Sequence, residues 1–176
     1  MAVLDALRKL PGGVKLRILG YETIGHPGYL KHLQRKADEL GLEKRFEIIG
    51  EVSMRQDLFR WASQCHVGLA FMPLQSSDIN EQNMTQASNK PFDYLACGLA
   101  LLVSDLPDWK EMFVRGGYGL ACDSEHAESI AGALGWFLGH PKEMREMGER
   151  GRQKILSEWN YDRQFQPILE VLNKSI

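Results

Sequence analysis

Between Gln75 and Asp105 the chain lays out a polar stretch, a short proline-led helix and an apolar strand, an order suited to holding a phosphorylated ligand. Ser88, Asn89 and Lys90 precede Pro91; Phe92-Asp93-Tyr94-Leu95-Ala96-Cys97-Gly98 follows; Leu99 to Val103 is apolar, and Ser104-Asp105 closes the run. Proline suits a first helical turn, where its missing N–H is not needed, and Ser88, Asn89 or Lys90 can supply the cap. A helix opening there offers unpaired N–H groups and the positive end of its dipole, and Lys90 adds a mobile cation, so a diphosphate is stabilised at that end. Asp93 admits two readings, since a carboxylate in a first turn is favoured by the dipole whatever its function. The polar stretch from Gln75 to Ser88 is long for a connection in a compact α/β domain, and loops of that length are more often functional than incidental.

Other reactive residues carry less. Gly20-Tyr21-Glu22-Thr23-Ile24-Gly25 has a G-x-x-x-x-G spacing without the Lys-Ser/Thr of a phosphate-binding loop and without a G-x-G-x-x-G pattern, and it reads as a turn. His26 stands beside Pro27 in that loop, where a lone histidine is more often solvated than a ligand. Cys65, Cys97 and Cys122 are scattered, odd in number and flanked by apolar residues, so they form neither a disulfide framework nor a zinc spacing and read as reduced core residues. No Ser/His/Asp set, Cys/His pair or D-x-D metal pattern is evident in the sequence.

Strand-like runs alternate with helix-like runs, the pattern of a parallel sheet covered by helices. Val14–Leu19, Phe46–Ile49, Val67–Met72, Leu99–Val103 and Tyr118–Cys122 predict five short strands. Between them Leu30, Leu33, Ala37 and Leu40 mark a crossover helix that Gly41 ends; Leu58, Ala62 and Cys65 mark a second, and Ile130, Leu134 and Phe137 a third. Met144, Met147, Ile155 and Trp159 stripe a longer helix that Gly148 and Gly151 weaken, and a final helix from about Tyr161 to Asn173 places Phe165, Ile168, Leu169 and Leu172 on one side. The fold class is therefore α/β, a Rossmann-like open parallel sheet with helices on both faces. Val3, Leu4, Leu7 and Leu10 form a helix face with no strand in front of it, so the first βα unit is expected to be truncated and the chain to be the downstream part of a larger protein.

With 176 residues the chain is long enough for a single α/β domain, residues 1–176, and short for two. A hydrophobic fraction of 44% and a charged fraction of 25% are ordinary for a globular chain, and a net charge of -2 gives no electrostatic reason to expect nucleic acid or an anionic membrane as partner. No basic leader and no run near the roughly 20 apolar residues of a membrane span is present, so a cytoplasmic location is expected.

The run from Asn89 to Asp105 resembles the N-K-x-F-E-Y-x-A-x-G-x-P-V-V-x-S-D signature of the group 1 retaining glycosyltransferases. Phe46-Glu47-Ile48-Ile49-Gly50-Glu51-Val52, with Leu58 and the passage from Ala62 to Met72, is similar to that family's F-x-G-x-V…L…A-D-V-x-L-x-P stretch, and Tyr118-Gly119-Leu120, Met147-Gly148 and Trp159 are similar to its last third. The resemblance implies the C-terminal, donor-binding domain of a two-domain GT-B enzyme, with the acceptor held by an N-terminal domain that this chain lacks and through which any membrane contact would run. It implies a nucleoside-diphosphate sugar as substrate, no cofactor or required metal, and front-face displacement with retention, positive groups stabilising the leaving diphosphate. Asp93 stands where the family has the second glutamate of its E-x7-E motif, a ribose ligand, shortened here by one methylene. Thr85 stands where the first glutamate would meet the transferred sugar, with Asp78 and Glu81 the carboxylates nearby. Gly50, Glu51 and Val52 match a loop lying against the nucleobase, and Ser88, Asn89 and Lys90 complete the expected donor site. The family's Arg and Lys that clamp the diphosphate fall upstream of Met1, so the isolated chain is expected to bind donor weakly and not to turn over. Two other readings stay open: half of a nucleotide-sugar 2-epimerase, which shares the architecture but which the Asn89 to Gly98 run fits less well, and a nucleotide-sugar-binding module without catalysis, which Thr85 and the shortened Asp93 keep open.

Overall fold

A computed structural model of the chain describes residues 1–22, 27–79 and 88–174. Thr85, Glu81 and His26 lie outside the described residues. All five predicted strands form: β1 Leu16–Leu19, β2 Phe46–Gly50, β3 Val67–Ala70, β4 Ala100–Ser104 and β5 Gly119–Cys122. The described helices are α1 Ala2–Lys9, α2 Tyr29–Glu39, α3 Arg55–Ala62, α4 Lys90–Ala96, α5 Pro107–Trp109 with a π-type turn Lys110–Val114, α6 Ala127–Gly139, α7 Pro141–Ser157 and α8 Tyr161–Lys174.

Every strand pairing is parallel, as the alternation requires, but the hydrogen-bonded ladders form two sheets rather than the one expected. β1 pairs with β2, and β3, β4 and β5 follow in that order; among the described residues β1 and β3 are not hydrogen-bonded to each other. Periodicity marks which residues are strands and says nothing of which edges meet, so this division belongs to the tertiary structure. Helix α1 lies across both sheets: Leu4 and Leu7 are buried with Leu33, Ala37 and Phe46 beside β2, while Ala6 is buried with Ala100, Leu102 and Phe137 beside β4.

β4 is the centre of the larger sheet, and all five of its residues are buried. Side chains alternate across a strand, so Leu101 and Val103 face a cluster with Leu95, Trp109 and Phe113, while Ala100 and Leu102 face Cys122, Ile130 and Phe137. A strand covered on both faces reads as an unbroken apolar run, which is what Ala100 to Val103 is. Trp109 and Phe113 come from an element that the sequence reading passes over. There the Arg115 N–H reaches back five residues to the Lys110 carbonyl at 2.9 Å, a π-type turn that puts both rings into the core. Phe92, Phe113, Tyr118 and Trp159 meet edge to face at centroid distances of 5.5 to 6.2 Å.

The glycines of α7 do the opposite of what was expected of them. A Cβ at Gly148 would stand 2.0 Å from the Gly98 carbonyl oxygen, and one at Gly151 would stand 2.3 Å from Leu95 Cδ2. They are the contact face on which the helix backbone settles onto α4 and β4, and α7 runs through them without a break. Gly41 ends α2 as predicted, with a φ of +68° and the Leu42 N–H bonded to the Ala37 carbonyl at 2.9 Å. The apolar side chains Phe165, Ile168, Leu169 and Leu172 of α8 are exposed. No described helix is long and apolar enough to cross a membrane.

Candidate functional site

Ligands of open α/β sheets bind where loops gather at the carboxyl ends of the strands. Of the first such loop, after β1, Gly20 to Glu22 and then Pro27 and Gly28 are described, and the rest of the expected turn lies outside the described residues. The Glu22 carboxylate accepts the N–H groups of Gly28 and Leu30, both at 2.7 Å, and so caps α2 from outside the helix. Those two bonds hold the Glu22 carboxyl below its ordinary range. Its acidity is committed to the helix end.

β2 ends on Gly50, whose φ of +81° turns the chain sharply and whose carbonyl accepts the Gly20 N–H at 2.9 Å. Exposed Glu51 and half-buried Val52 follow, and the loop delivers Arg55 as the first residue of α3. Beyond β3, the Met72 N–H donates to Ser104 Oγ at 2.8 Å and the Ser104 hydroxyl donates to the Met72 carbonyl at 2.7 Å, with Ser124 Oγ 2.9 Å from Ser104 Oγ. These wholly polar contacts tie the ends of β3, β4 and β5 together and fix where the loop after β3 departs. Asp105, next to Ser104, pairs with Lys110 at 2.5 Å. In the described part of the long polar loop, the Asp78 N–H donates to Ser76 Oγ at 3.0 Å.

Helix α4 is seated by Tyr94, which lies where any Cβ at Gly68 of β3 would fall, 2.3 Å from the ring. A side chain at position 68 would lift the helix away from the sheet. Asn89 takes the N-cap position, with Lys90 and Pro91 opening the helix, but the expected side-chain cap bond is not made. Asn89 has helical dihedrals, φ −72° and ψ −20°, whereas a capping side chain needs an extended backbone to swing back to the N–H groups of the first turn. Ser88 is half-buried, while Asn89 and Lys90 are exposed.

Asp93 lies in the first turn of α4 with its side chain only 14% exposed, and it forms an ion pair with the guanidinium of Arg55, whose side chain is 63% exposed. The contact runs from Arg55 Nη2 to Asp93 Oδ1. Burial pushes the Asp93 carboxyl up and the Arg55 charge pulls it down; burial wins, so it sits above the ordinary aspartate range. The pair joins the loop after β2, which holds Gly50, Glu51 and Val52, to the start of α4, which holds Ser88, Asn89 and Lys90. Of the residues singled out in the sequence, Gly50, Glu51 and Val52 follow β2, and Ser88, Asn89, Lys90 and Asp93 lie at the start of α4, so the Arg55–Asp93 pair marks where these two groups meet in the crevice expected at the carboxyl ends of the strands. Arg55 and Ser104 were missed as site residues. Arg55 follows Val52 closely enough to have been noticed as a cation beside the expected nucleobase loop, but no local pattern pairs it with a residue 38 positions away.

Among the described residues no group of three or more His, Cys, Asp or Glu side chains is placed to hold a metal ion. An open cavity of about 650 Å³ is lined by Gln56, Phe59 and Arg60 of α3, by Ala96 and Cys97 at the end of α4, and by Arg152 of α7. Cys97 there is half-buried, with its thiol pushed up mainly by burial, which agrees with a packing role.

A family model described as "Glycosyl transferase-like" matches residues 2–170. A search of the curated proteins finds no match. Solved structures with the same fold include Anabaena Alr3699/HepE in complex with UDP-glucose, with a TM-score of 0.79, 16% identity, and coverage of 98% of this chain and 44% of that one. Sucrose-phosphate synthase from Thermosynechococcus elongatus superposes with a TM-score of 0.74 and 16% identity, covering 99% of this chain and 42% of that one. The C-terminal domain of a glycosyl transferase group 1 family protein, LpcC, from Francisella tularensis matches with a TM-score of 0.72 and 15% identity over 91% of this chain and 78% of that one. This chain thus spans less than half the length of the first two, and at these identities the likeness establishes the Rossmann-like α/β fold.

Proposed function

The chain belongs to the glycosyl transferase-like family, and from that membership we propose that it is the donor-binding half of a two-domain GT-B glycosyltransferase, one that takes a nucleoside-diphosphate sugar and transfers the sugar with retention. The carrying observation is Asp93, a largely buried carboxylate at the mouth of the crevice where the loop after β2 meets the start of α4. A carboxylate there accepts two ribose hydroxyl hydrogens, which few other side chains can do. Gly50, Glu51 and Val52 then line the base, and Ser88, Asn89 and Lys90 flank the diphosphate, while Thr85, outside the described residues, is the position that the family signature gives to the transferred sugar. The division of labour is supported by the lengths of the relatives, of which this chain spans 42 to 44%, and by the edges of β1 and β3 that no described strand pairs. The acceptor, and any contact with a membrane, belong to the other half, and the departing diphosphate leans on cationic and N–H groups, with no metal in the scheme.

The test is a thermal-shift comparison of UDP, GDP and ADP and their sugars against the wild type and Asp93→Ala. One nucleotide series is expected to raise the melting temperature of the wild type and to lose that effect in the variant, while the isolated chain shows no sugar transfer. If no nucleotide stabilises the wild type, or if Asp93→Ala responds equally, the site is misplaced.

A further inference from the structure

Arg55 is badly placed for the helix it begins. The first turn of a helix carries the positive end of the dipole, so a cation there is repelled by its own backbone. Two contacts outweigh that cost: its guanidinium lies over the Phe59 ring, 5.1 Å from the centroid, and it reaches across the crevice to Asp93. Phe59, one turn along the same face, fixes the direction of the side chain, and Asp93 receives it. α3 follows the two-stranded sheet while α4 follows β3 of the other, so this is a contact between separately built halves of the crevice.

We propose that Arg55 is the positioning residue of this site: from the start of α3 it aims the Asp93 carboxylate, holding Oδ1 and leaving Oδ2 to meet the ligand. The inference rests on the donor-site reading above and adds to it a residue that the sequence signature does not contain. A carboxyl accepts ribose hydroxyl hydrogens most strongly when ionised, and burial opposes ionisation of Asp93. The groups around it leave Arg55 to supply the opposing charge. On its own helix Tyr94 and Cys97 respond to Asp93 without offsetting it, and Lys90 is exposed one turn earlier. Cys65, near the end of α3, acts on Tyr94 and Cys97, and Arg152 of α7 is directed at Cys97. No such cation comes from the described parts of β3 and β4, against which α4 also packs.

The experiment measures the affinity of UDP, GDP and ADP between pH 5 and pH 8.5 for the wild type, Arg55→Ala, Arg55→Lys and Asp93→Asn. Arg55→Ala is expected to bind roughly tenfold more weakly than the wild type across the interval, because the carboxylate is no longer aimed, and to begin its further loss on acidification at a higher pH than the wild type does. Arg55→Lys keeps the charge and restores most of the profile. Because the Arg55 side chain is mostly exposed, the fold survives its removal, and an unchanged melting temperature in the absence of nucleotide checks that. No loss in Arg55→Ala at any pH, or a loss that Arg55→Lys does not restore, overturns the positioning role while Asp93→Asn still abolishes binding. If Asp93→Asn binds as the wild type does, the donor-site reading itself fails and the inference with it.

Discussion

The two sheets differ more than their shared parallel topology suggests. β4 is buried along its whole length and its ladders to β3 and β5 run without interruption, whereas every residue of β1 is only half-buried and its register with β2 shifts between Ile18 and Leu19. One side chain of β1, Arg17, is held in an ion pair with Glu47 at 2.8 Å and lies over the Trp61 ring at 4.6 Å, contacts that a strand enclosed on both faces has no room for. The larger sheet is a core that holds its shape by burial, and it presents Asp93 on the short, tightly seated α4. The smaller sheet is a lighter platform that brings the base-side loop and Arg55 to it. The crevice lies between a fully enclosed wall and a half-exposed one.

The largest expected effect tests whether β4 is the mechanical centre. Leu102→Ala, at a fully buried position, is expected to cost about 2–5 kcal/mol in denaturant unfolding, while Ile18→Ala in half-buried β1 costs less than about 2 kcal/mol. Equal losses would erase the distinction between the sheets. Next comes Gly148→Ala, where the added methyl meets the Gly98 carbonyl, a backbone atom that can move only with the turn after α4. A loss of about 1–3 kcal/mol, read by the same measurement, is expected, and a neutral result would show that α7 is free to slide on the larger sheet.

The smallest effect concerns the junction itself. Because the Asp93 carboxyl titrates above the ordinary aspartate value, the native chain binds that proton more tightly than the unfolded chain does. Its contribution to stability is therefore fully present below the unfolded value and is lost as the pH rises through the raised one. Melting temperatures of wild type and Asp93→Asn across that interval are expected to diverge in slope, with only the wild type showing the decline. Parallel curves would mean that the carboxyl is not buried where the two halves meet.

Much of this was readable along the chain because it depends on neighbours in sequence. The strands announced themselves as short apolar runs, the first three closed by Gly or Pro, α2 and α6 by residues recurring at helical spacing, and the end of α2 by Gly41. The α5 segment escaped because Pro107 to Val114 is too short and too mixed to show a period, and its π-type turn brings Trp109 and Phe113 together at a spacing that no α-helical template matches. Gly148 and Gly151 misled for a related reason: propensity counts a glycine against a helix, while close approach of two backbones requires one.

By itself, then, the sequence determined the α/β class, the five strands, the family and the run from Ser88 to Asp105 in which Asp93 lies, since local periodicity and motif spacing encode all of these. Only the tertiary structure decided that the strands divide into two sheets, that α7 packs through its glycines, and that Arg55 reaches Asp93. Edge pairing, backbone contact and a charge pair 38 residues apart are set by how the chain folds back on itself, and no window along the sequence contains both partners.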